Sequence, residues 1–94
     1  RSVDIVGRFG GDEFVVLLPG IALEDATLIA ERLCRCLQEQ CIEEEGHALT
    51  LSIGLTEQLP DETPTDLLHR ADLLLYEAKR RGGNCAVSGR NDLT

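Results

Sequence analysis

The stretch that decides the fold is Arg8-Phe9-Gly10-Gly11-Asp12-Glu13-Phe14, which is followed at once by the apolar run Val15-Val16-Leu17-Leu18. The two adjacent glycines permit the positive φ of a tight turn and leave room for a ligand's phosphates or ribose to approach the backbone. Asp12 and Glu13 supply hard oxygen ligands, and the apolar run behind them would hold them in place as a buried strand. The stretch therefore predicts a hairpin turn that binds a metal ion and phosphate. The same residues also fit a plain polar hairpin tip, since acidic residues are common in turns.

Composition limits the classes of protein to which the chain can belong. With 94 residues it forms at most one domain, and a domain of this size buries only a modest core. A formal net charge of −8 argues against nucleic acid or an anionic membrane as a partner, because both attract basic surfaces. There is no apolar run of membrane-spanning length and no opening signal peptide, so we expect a cytoplasmic domain, with any membrane attachment of a parent protein lying upstream.

The first half of the chain predicts a hairpin followed by a helix. Strand-forming segments at Val3–Arg8 and Phe14–Leu18 flank the turn and place it at the tip of the hairpin. An amphipathic helix is predicted over about 25–40, because apolar residues recur there at helical spacing. The predicted buried stripe of this helix is Ala26, Ile29, Ala30, Leu33 and Leu37.

The second half predicts a strand, a helix and a last strand. Residues 43–46 suggest a solvated loop, and the alternation over 49–56 predicts a half-buried strand. Thr63, Pro64 and Asp66 are typical of a helix start, and Gly82-Gly83 follows a basic last turn that would end this helix. Residues 84–88 can add a short strand. The fold class is therefore α/β (α+β), with an antiparallel-containing sheet flanked by helices.

The four cysteines predict reduced, partly buried thiols. Cys34, Cys36, Cys41 and Cys85 show no zinc-ligand spacing, and the first two would point to nearly opposite sides of a helix.

Nearly the whole chain resembles the GGDEF family, the diguanylate cyclases, which join two GTP molecules into cyclic di-GMP. The signature itself is Gly10-Gly11-Asp12-Glu13-Phe14, preceded by Arg8-Phe9 and followed by Leu18-Pro19. Further blocks that resemble the family, in chain order, are Ala30-Glu31-Arg32-Leu33, Thr50-Leu51-Ser52-Ile53-Gly54, Ala71-Asp72, Leu75-Tyr76, Ala78-Lys79 and Asn84. The resemblance implies a nucleotide cyclase, ferredoxin-like palm fold.

The resemblance also implies roles for the signature residues. Asp12 would bind a catalytic Mg²⁺ (or Mn²⁺), and Glu13 would be a second metal ligand or the group that takes the proton of the attacking 3′-hydroxyl. Gly10 and Gly11 would contact GTP, and Lys79 would bind its triphosphate. Gly83 stands where the family commonly has a second phosphate-contacting arginine, and this departure puts triphosphate affinity in question. Arg80 or Arg81 would be the candidates to compensate.

A second site implied by the resemblance is inhibitory and binds the product, cyclic di-GMP. Arg1 and Asp4 have the RxxD spacing of that site, and Arg32 matches an arginine that supplements it. Arginine can form paired bonds to phosphate or a guanine edge, and aspartate can accept from guanine nitrogens. The predicted function is a two-metal diguanylate cyclase that works as a homodimer under product feedback. The alternative is a catalytically degenerate module that binds GTP or cyclic di-GMP as a regulator.

The family domain normally begins upstream of the position that Arg1 occupies. A strand with another metal-binding aspartate and a helix that reads the guanine base would precede it. We therefore expect residues 1–94 to be the C-terminal part of such a domain, with 88–94 as a flexible tail. A fragment of this kind is expected to be inactive alone and to self-associate through the apolar surface that the missing elements cover.

Overall fold

The computed structural model describes residues 5–8, 14–18, 20–40, 43–44, 46–48 and 50–89. In this part of the chain two helices, α1 (Leu23–Gln40) and α2 (Pro64–Arg80), accompany six short strands. The strands are β1 (Ile5–Arg8), β2 (Phe14–Leu17), β3 (Glu43–Glu44), β4 (His47–Ala48), β5 (Ile53–Leu55) and β6 (Ala86–Ser88). The molecule is thus α+β, as the sequence predicts.

The strands of the described residues pair two by two rather than in a single ladder. β1 and β2 form the predicted antiparallel hairpin, with Ile5 opposite Leu17 and Arg8 opposite Phe14. β5 and β6 run parallel, and α2 makes the crossover between them, because parallel neighbours cannot be joined by a tight turn. This parallel pair was not anticipated from the sequence.

Two segments differ from their predictions. Residues 43–48 contain the small antiparallel pair β3 and β4 around Gly46 (φ +82°), where a loop was predicted over 43–46. The strand predicted over 49–56 is shorter and spans only Ile53–Leu55. Directly after β6, the amide of Gly89 donates to the carbonyl of Leu55 at 3.2 Å.

The core lies where α2 packs onto β5 and β6. Leu74 and Ala78 of α2 are 1% and 0% exposed, and Val87 of β6 is buried against them. Gly54 is what lets the helix come so close, because a Cβ on this residue would lie within 2.8 Å of backbone atoms of Ala71, Leu74 and Leu75. The glycine in β5 therefore fixes the distance between strand and helix.

The face that α1 buries is rotated from the predicted stripe. Ala30 is buried as predicted, but its buried neighbours are Leu23 and Cys34, whereas Leu33 is 51% exposed. Ile29 is also exposed. Successive helical residues are separated by roughly 100° around the axis, so packing on Cys34 turns Leu33 away from β5 and β6.

Candidate functional site

The C-terminal end of α2 carries the basic turn that the sequence assigns to phosphate binding. Lys79 is exposed in this last turn, where cations favourably oppose the negative end of the helix dipole. The chain then turns at Gly82 and Gly83, whose amides donate to the carbonyls of Lys79 and Ala78 at 3.1 and 3.0 Å. Lys79 is thus presented on a well-formed helix end.

Glu77 binds both arginines that follow Lys79. Arg80 makes a paired contact to its carboxylate at 2.7 and 2.8 Å, and Arg81 adds a third hydrogen bond at 3.1 Å. Hydrogen bonds from Arg80 and then Arg81 lower the pKa of Glu77 to about 2. This cluster was not predicted from the sequence, although the arginines follow Glu77 at the helical spacings of three and four residues that allow ion pairs.

The backbone at Gly83 favours glycine over the arginine that is common in the family. Its φ is +75°, in the left-handed region that residues with a side chain rarely adopt. A Cβ there would also lie 3.1 Å from the Ser52 hydroxyl oxygen. An arginine at this position would therefore strain the turn as this chain forms it.

Asn84 extends the turn and contacts α1. It too has a positive φ, of 54°, and its side-chain amide donates to Gln38 Oε1 at 3.3 Å. Its carbonyl oxygen, Oδ1, is buried without a hydrogen-bond partner. The end of α2 is thereby connected to the C-terminal half of α1.

Most of the predicted site residues lie outside the described part of the chain. These are Arg1, Asp4, Gly10, Gly11, Asp12 and Glu13. Pairing of Arg8 with Phe14 shows only that residues 9–13, which include the first four residues of the signature, connect the two strands of the hairpin. Lys79 and Arg32 are described, but they lie on different helices, and Arg32 is exposed midway along α1. The described residues alone therefore do not assemble the predicted catalytic or inhibitory site.

The residues that the structure describes contain no group of three or more His, Cys, Asp or Glu side chains that could hold a metal ion. In the same part of the chain, neither helix is long and apolar enough to cross a membrane.

A buried ion pair joins Arg70 of α2 to Glu62 in the loop that precedes this helix. It was not predicted from the sequence. Arg70, only 5% exposed, binds both carboxylate oxygens of Glu62 at 2.5 and 2.7 Å and donates to the carbonyl of Glu57 at 2.6 Å. Thr56 accepts from Arg70 and donates to the carbonyl of Gly89 at 2.7 Å. This network joins α2, the 56–62 loop and the end of β6. We assign the network a structural role, because these hydrogen bonds connect three parts of the fold to one another.

Comparison with known proteins identifies the class. The chain belongs to the GGDEF family, since residues 1–85 match the family described as diguanylate cyclase, GGDEF domain. The resemblance inferred from the sequence is thereby confirmed.

Individual relatives agree with this assignment. Diguanylate cyclase A of Treponema denticola is 34% identical over 99% of this chain and 26% of its own length. Among solved structures, the active GGEEF domain of a diguanylate cyclase from Vibrio cholerae superposes with a TM-score of 0.81 at 30% identity, covering 95% of this chain and 58% of that one. The GGDEF domain of DgcB from Caulobacter crescentus, in complex with c-di-GMP, has a TM-score of 0.81 at 27% identity, over 90% of this chain and 51% of that one. The chain thus spans about a quarter of the first relative and about half of each solved chain.

Proposed function

We propose that the parent protein is a diguanylate cyclase that condenses two GTP molecules into cyclic di-GMP, each supplied by one subunit of a homodimer. The observation that carries this proposal is the intact signature: both glycines and both carboxylates stand between two strands whose pairing closes at Arg8 and Phe14. Membership of the family over residues 1–85 supports it.

The donor set of the signature fits a divalent cation. Asp12 and Glu13 offer carboxylate oxygens, the ligands that Mg²⁺ and Mn²⁺ prefer, so these two residues would hold the metal of this half of the site. When bound, the metal ions would supply charge neutralisation at the α-phosphate and the leaving pyrophosphate.

The chain's own residues have three further tasks in this proposal. Glu13 takes the proton of the 3′-hydroxyl if it is not itself a metal ligand. Gly10 and Gly11 let the phosphates approach the backbone, and Lys79 neutralises triphosphate charge as GTP binds. Apart from the proton transfer to Glu13, these groups serve positioning and electrostatics, which carry most of the catalysis in phosphoryl-type transfer.

The test measures cyclic di-GMP formation from GTP and Mg²⁺ by the full-length parent. We expect Asp12→Ala and Glu13→Ala each to reduce kcat by about 10²-fold or more, because an interaction made in the transition state is lost. Glu39→Gln removes an exposed carboxylate from α1 and should leave turnover unchanged. An active parent whose signature variants remain fully active would refute the site assignment.

Product feedback is proposed to act through Arg1, Asp4 and Arg32. The exposure of Arg32 on α1 is compatible with contact to a ligand. Calorimetric titration of the parent with cyclic di-GMP should show affinity falling at least about tenfold in Arg1→Ala and Arg32→Ala, the scale of one charge-assisted contact. Arg35→Ala, an exposed arginine of the same helix, is the matched control. Unchanged affinity in the first two variants would refute the inhibitory site.

A second candidate function, a GGDEF module that binds nucleotide without turnover, is favoured by one observation. Gly83 replaces the expected arginine, and both neighbouring arginines are bound by Glu77. If the parent binds GTP or cyclic di-GMP in calorimetry but forms no product with Mg²⁺ or Mn²⁺, this second function is the correct one.

A further inference from the structure

Cys34 and Cys85, far apart in the sequence, line one cleft. Cys34 is buried on α1, and Cys85 lies just ahead of β6, where it packs against the core of Leu74, Ala78 and Val87. The cleft has a volume of about 360 Å³ and is open to solvent. Its other lining residues are Glu31, Arg35, Gln38, Asn84 and Ala86.

Hydrogen bonds bring both cysteines to the N-terminal end of β5. The thiol of Cys34 donates to the carbonyl of Leu51 at 3.3 Å. Two residues further on, the amide of Ile53 donates to the carbonyl of Cys85 at 3.0 Å. The thiol of Cys34 and the backbone of Cys85 therefore contact the same short segment, residues 51–53.

The thiols also interact electrostatically. Burial raises the pKa of Cys34, and the neighbouring Cys85 raises that pKa further. Both effects favour the protonated thiol of Cys34.

The two thiols differ in access to solvent. Both thiols donate to a backbone carbonyl, Cys34 to Leu51 and Cys85 to Ala78, but Cys34 is only 6% exposed whereas Cys85 is half-buried beside the open cleft. Reactivity of cysteines follows exposure, so an oxidant that enters the cleft meets Cys85 first. Cys34 lines the same cleft and is the thiol that would attack the oxidised sulfur.

We propose that Cys34 and Cys85 form a modification site at which a hydroperoxide produces an intramolecular disulfide. In the first step the Cys85 thiolate attacks the peroxide oxygen, the O–O bond breaks, and the sulfur becomes a sulfenic acid as the alcohol or water leaves. In the second step Cys34 attacks this sulfur, the S–S bond forms, and the hydroxyl leaves with the Cys34 proton as water. The two sulfurs together lose two electrons, which reduce the peroxide.

The disulfide would connect α1 covalently to the segment that follows Gly82 and Gly83. Cys85 lies six residues after Lys79, so the link would restrain the turn that follows the proposed triphosphate-binding lysine. The inference stands independently of the proposed cyclase activity, since formation of the disulfide is measured directly.

The test treats the folded chain with hydrogen peroxide, blocks the remaining thiols with iodoacetamide, and maps tryptic peptides without reduction. Trypsin cleaves after Arg32, Arg35 and Arg81, so Cys34 and Cys36 fall in different peptides. We expect peptide 33–35 joined to peptide 82–90, with a mass two hydrogens below the sum, and recovery of both free peptides after reduction.

Three variants and one condition complete the design. Cys36→Ser removes an exposed thiol of the same helix and should leave the cross-link intact, while Cys85→Ser should abolish it. Cys34→Ser should leave Cys85 as a sulfenic acid that a cyclic 1,3-dione captures. In denaturant the specific pairing should give way to mixed cross-links. The proposal is overturned if the folded chain yields no 34–85 link, or if Cys36 or Cys41 pairs with Cys85 to an equal extent.

Discussion

At the scale of single residues, Gly54 is the position that tolerates least change. The three atoms nearest to a Cβ there all belong to the backbone of α2, so relief of the clash requires the helix to move. Overpacking of this kind costs about 1–3 kcal/mol and sometimes more. We expect Gly54→Ala to lower the free energy of unfolding by at least that amount in chemical denaturation.

Gly20 provides the control for this substitution. It has a positive φ of 78°, and a Cβ added to it would meet nothing within 4 Å, so Gly20→Ala tests backbone strain without a clash. Strain alone costs about 1 kcal/mol. If Gly54→Ala is no more destabilising than Gly20→Ala, close packing of β5 on α2 is not the constraint on this position.

Glu77 is the second residue with a clear prediction, and this prediction rests on the proposed function. Replacing it by glutamine removes a negative charge beside Lys79 and releases Arg80 and Arg81 from their ion pairs. We expect Glu77→Gln in the parent to bind GTP a few times more tightly, as measured by calorimetry.

Lys79→Ala in the same assay should weaken GTP binding, and the exposed Glu39→Gln should leave it unchanged. An unaltered affinity in Glu77→Gln, alongside a weakened Lys79→Ala, would show that the two arginines do not reach the triphosphate.

At the scale of elements, the network around Arg70 makes the 56–62 loop sensitive to acid. Hydrogen bonds from Arg70 and from the amide of Leu59 lower the pKa of Glu62 to about 2 from its ordinary 4.5. Because this pKa is depressed in the folded state, the stabilisation is complete above about pH 4.5 and is lost as the pH falls towards 2.

Unfolding free energies measured across this interval should therefore decrease with falling pH, and Glu62→Gln should flatten the decrease. Glu77 also has a pKa of about 2, but its arginine partners are exposed and solvent screens their charges. Glu77→Gln should therefore flatten the decrease less than Glu62→Gln does. Equal slopes for Glu62→Gln and the unaltered chain would contradict the role assigned to the Arg70 pair.

The ends of α2 could be predicted from the sequence, because the residues that start and stop this helix are close neighbours in the chain. Thr63 caps α2 by accepting from the amide of Asp66 at 3.1 Å, and Pro64 opens the helix, as expected. Gly82 and Gly83 end it in the predicted place. Rotation of α1 and the burial of Arg70 could not be predicted, because they depend on which side of each helix faces β5 and β6. The signature and the RxxD residues lie outside the described residues, so their roles remain predictions.

At the scale of the whole molecule, α1 presents an exposed apolar face made of Leu28, Ile29 and Leu33. Exposed apolar surface of this kind favours association. It differs from the surface named in the sequence-based prediction, which was the one that missing upstream elements would cover. Sedimentation velocity of this chain should show a concentration-dependent shift towards dimers or larger species. Leu33→Lys should raise the dissociation constant about tenfold or more, since a buried leucine contributes about 1.5–3 kcal/mol.

Gln40→Lys adds the same charge at an exposed position at the end of α1 and should leave the association unchanged. A chain that sediments as a monomer at every concentration would contradict this use of the apolar face.

The crossover between β5 and β6 has a consequence for how the molecule opens. The two strands pair only because α2 returns the chain to the start of β5. The hydrogen bond from the Ile53 amide to the Cys85 carbonyl therefore depends on the whole β5–α2–β6 unit. Its hydrogen exchange should therefore report cooperative opening of that unit rather than local fraying. A ligand that binds at the end of α2 and stabilises this unit would slow exchange at Ile53, which makes one backbone amide a remote sensor of occupancy.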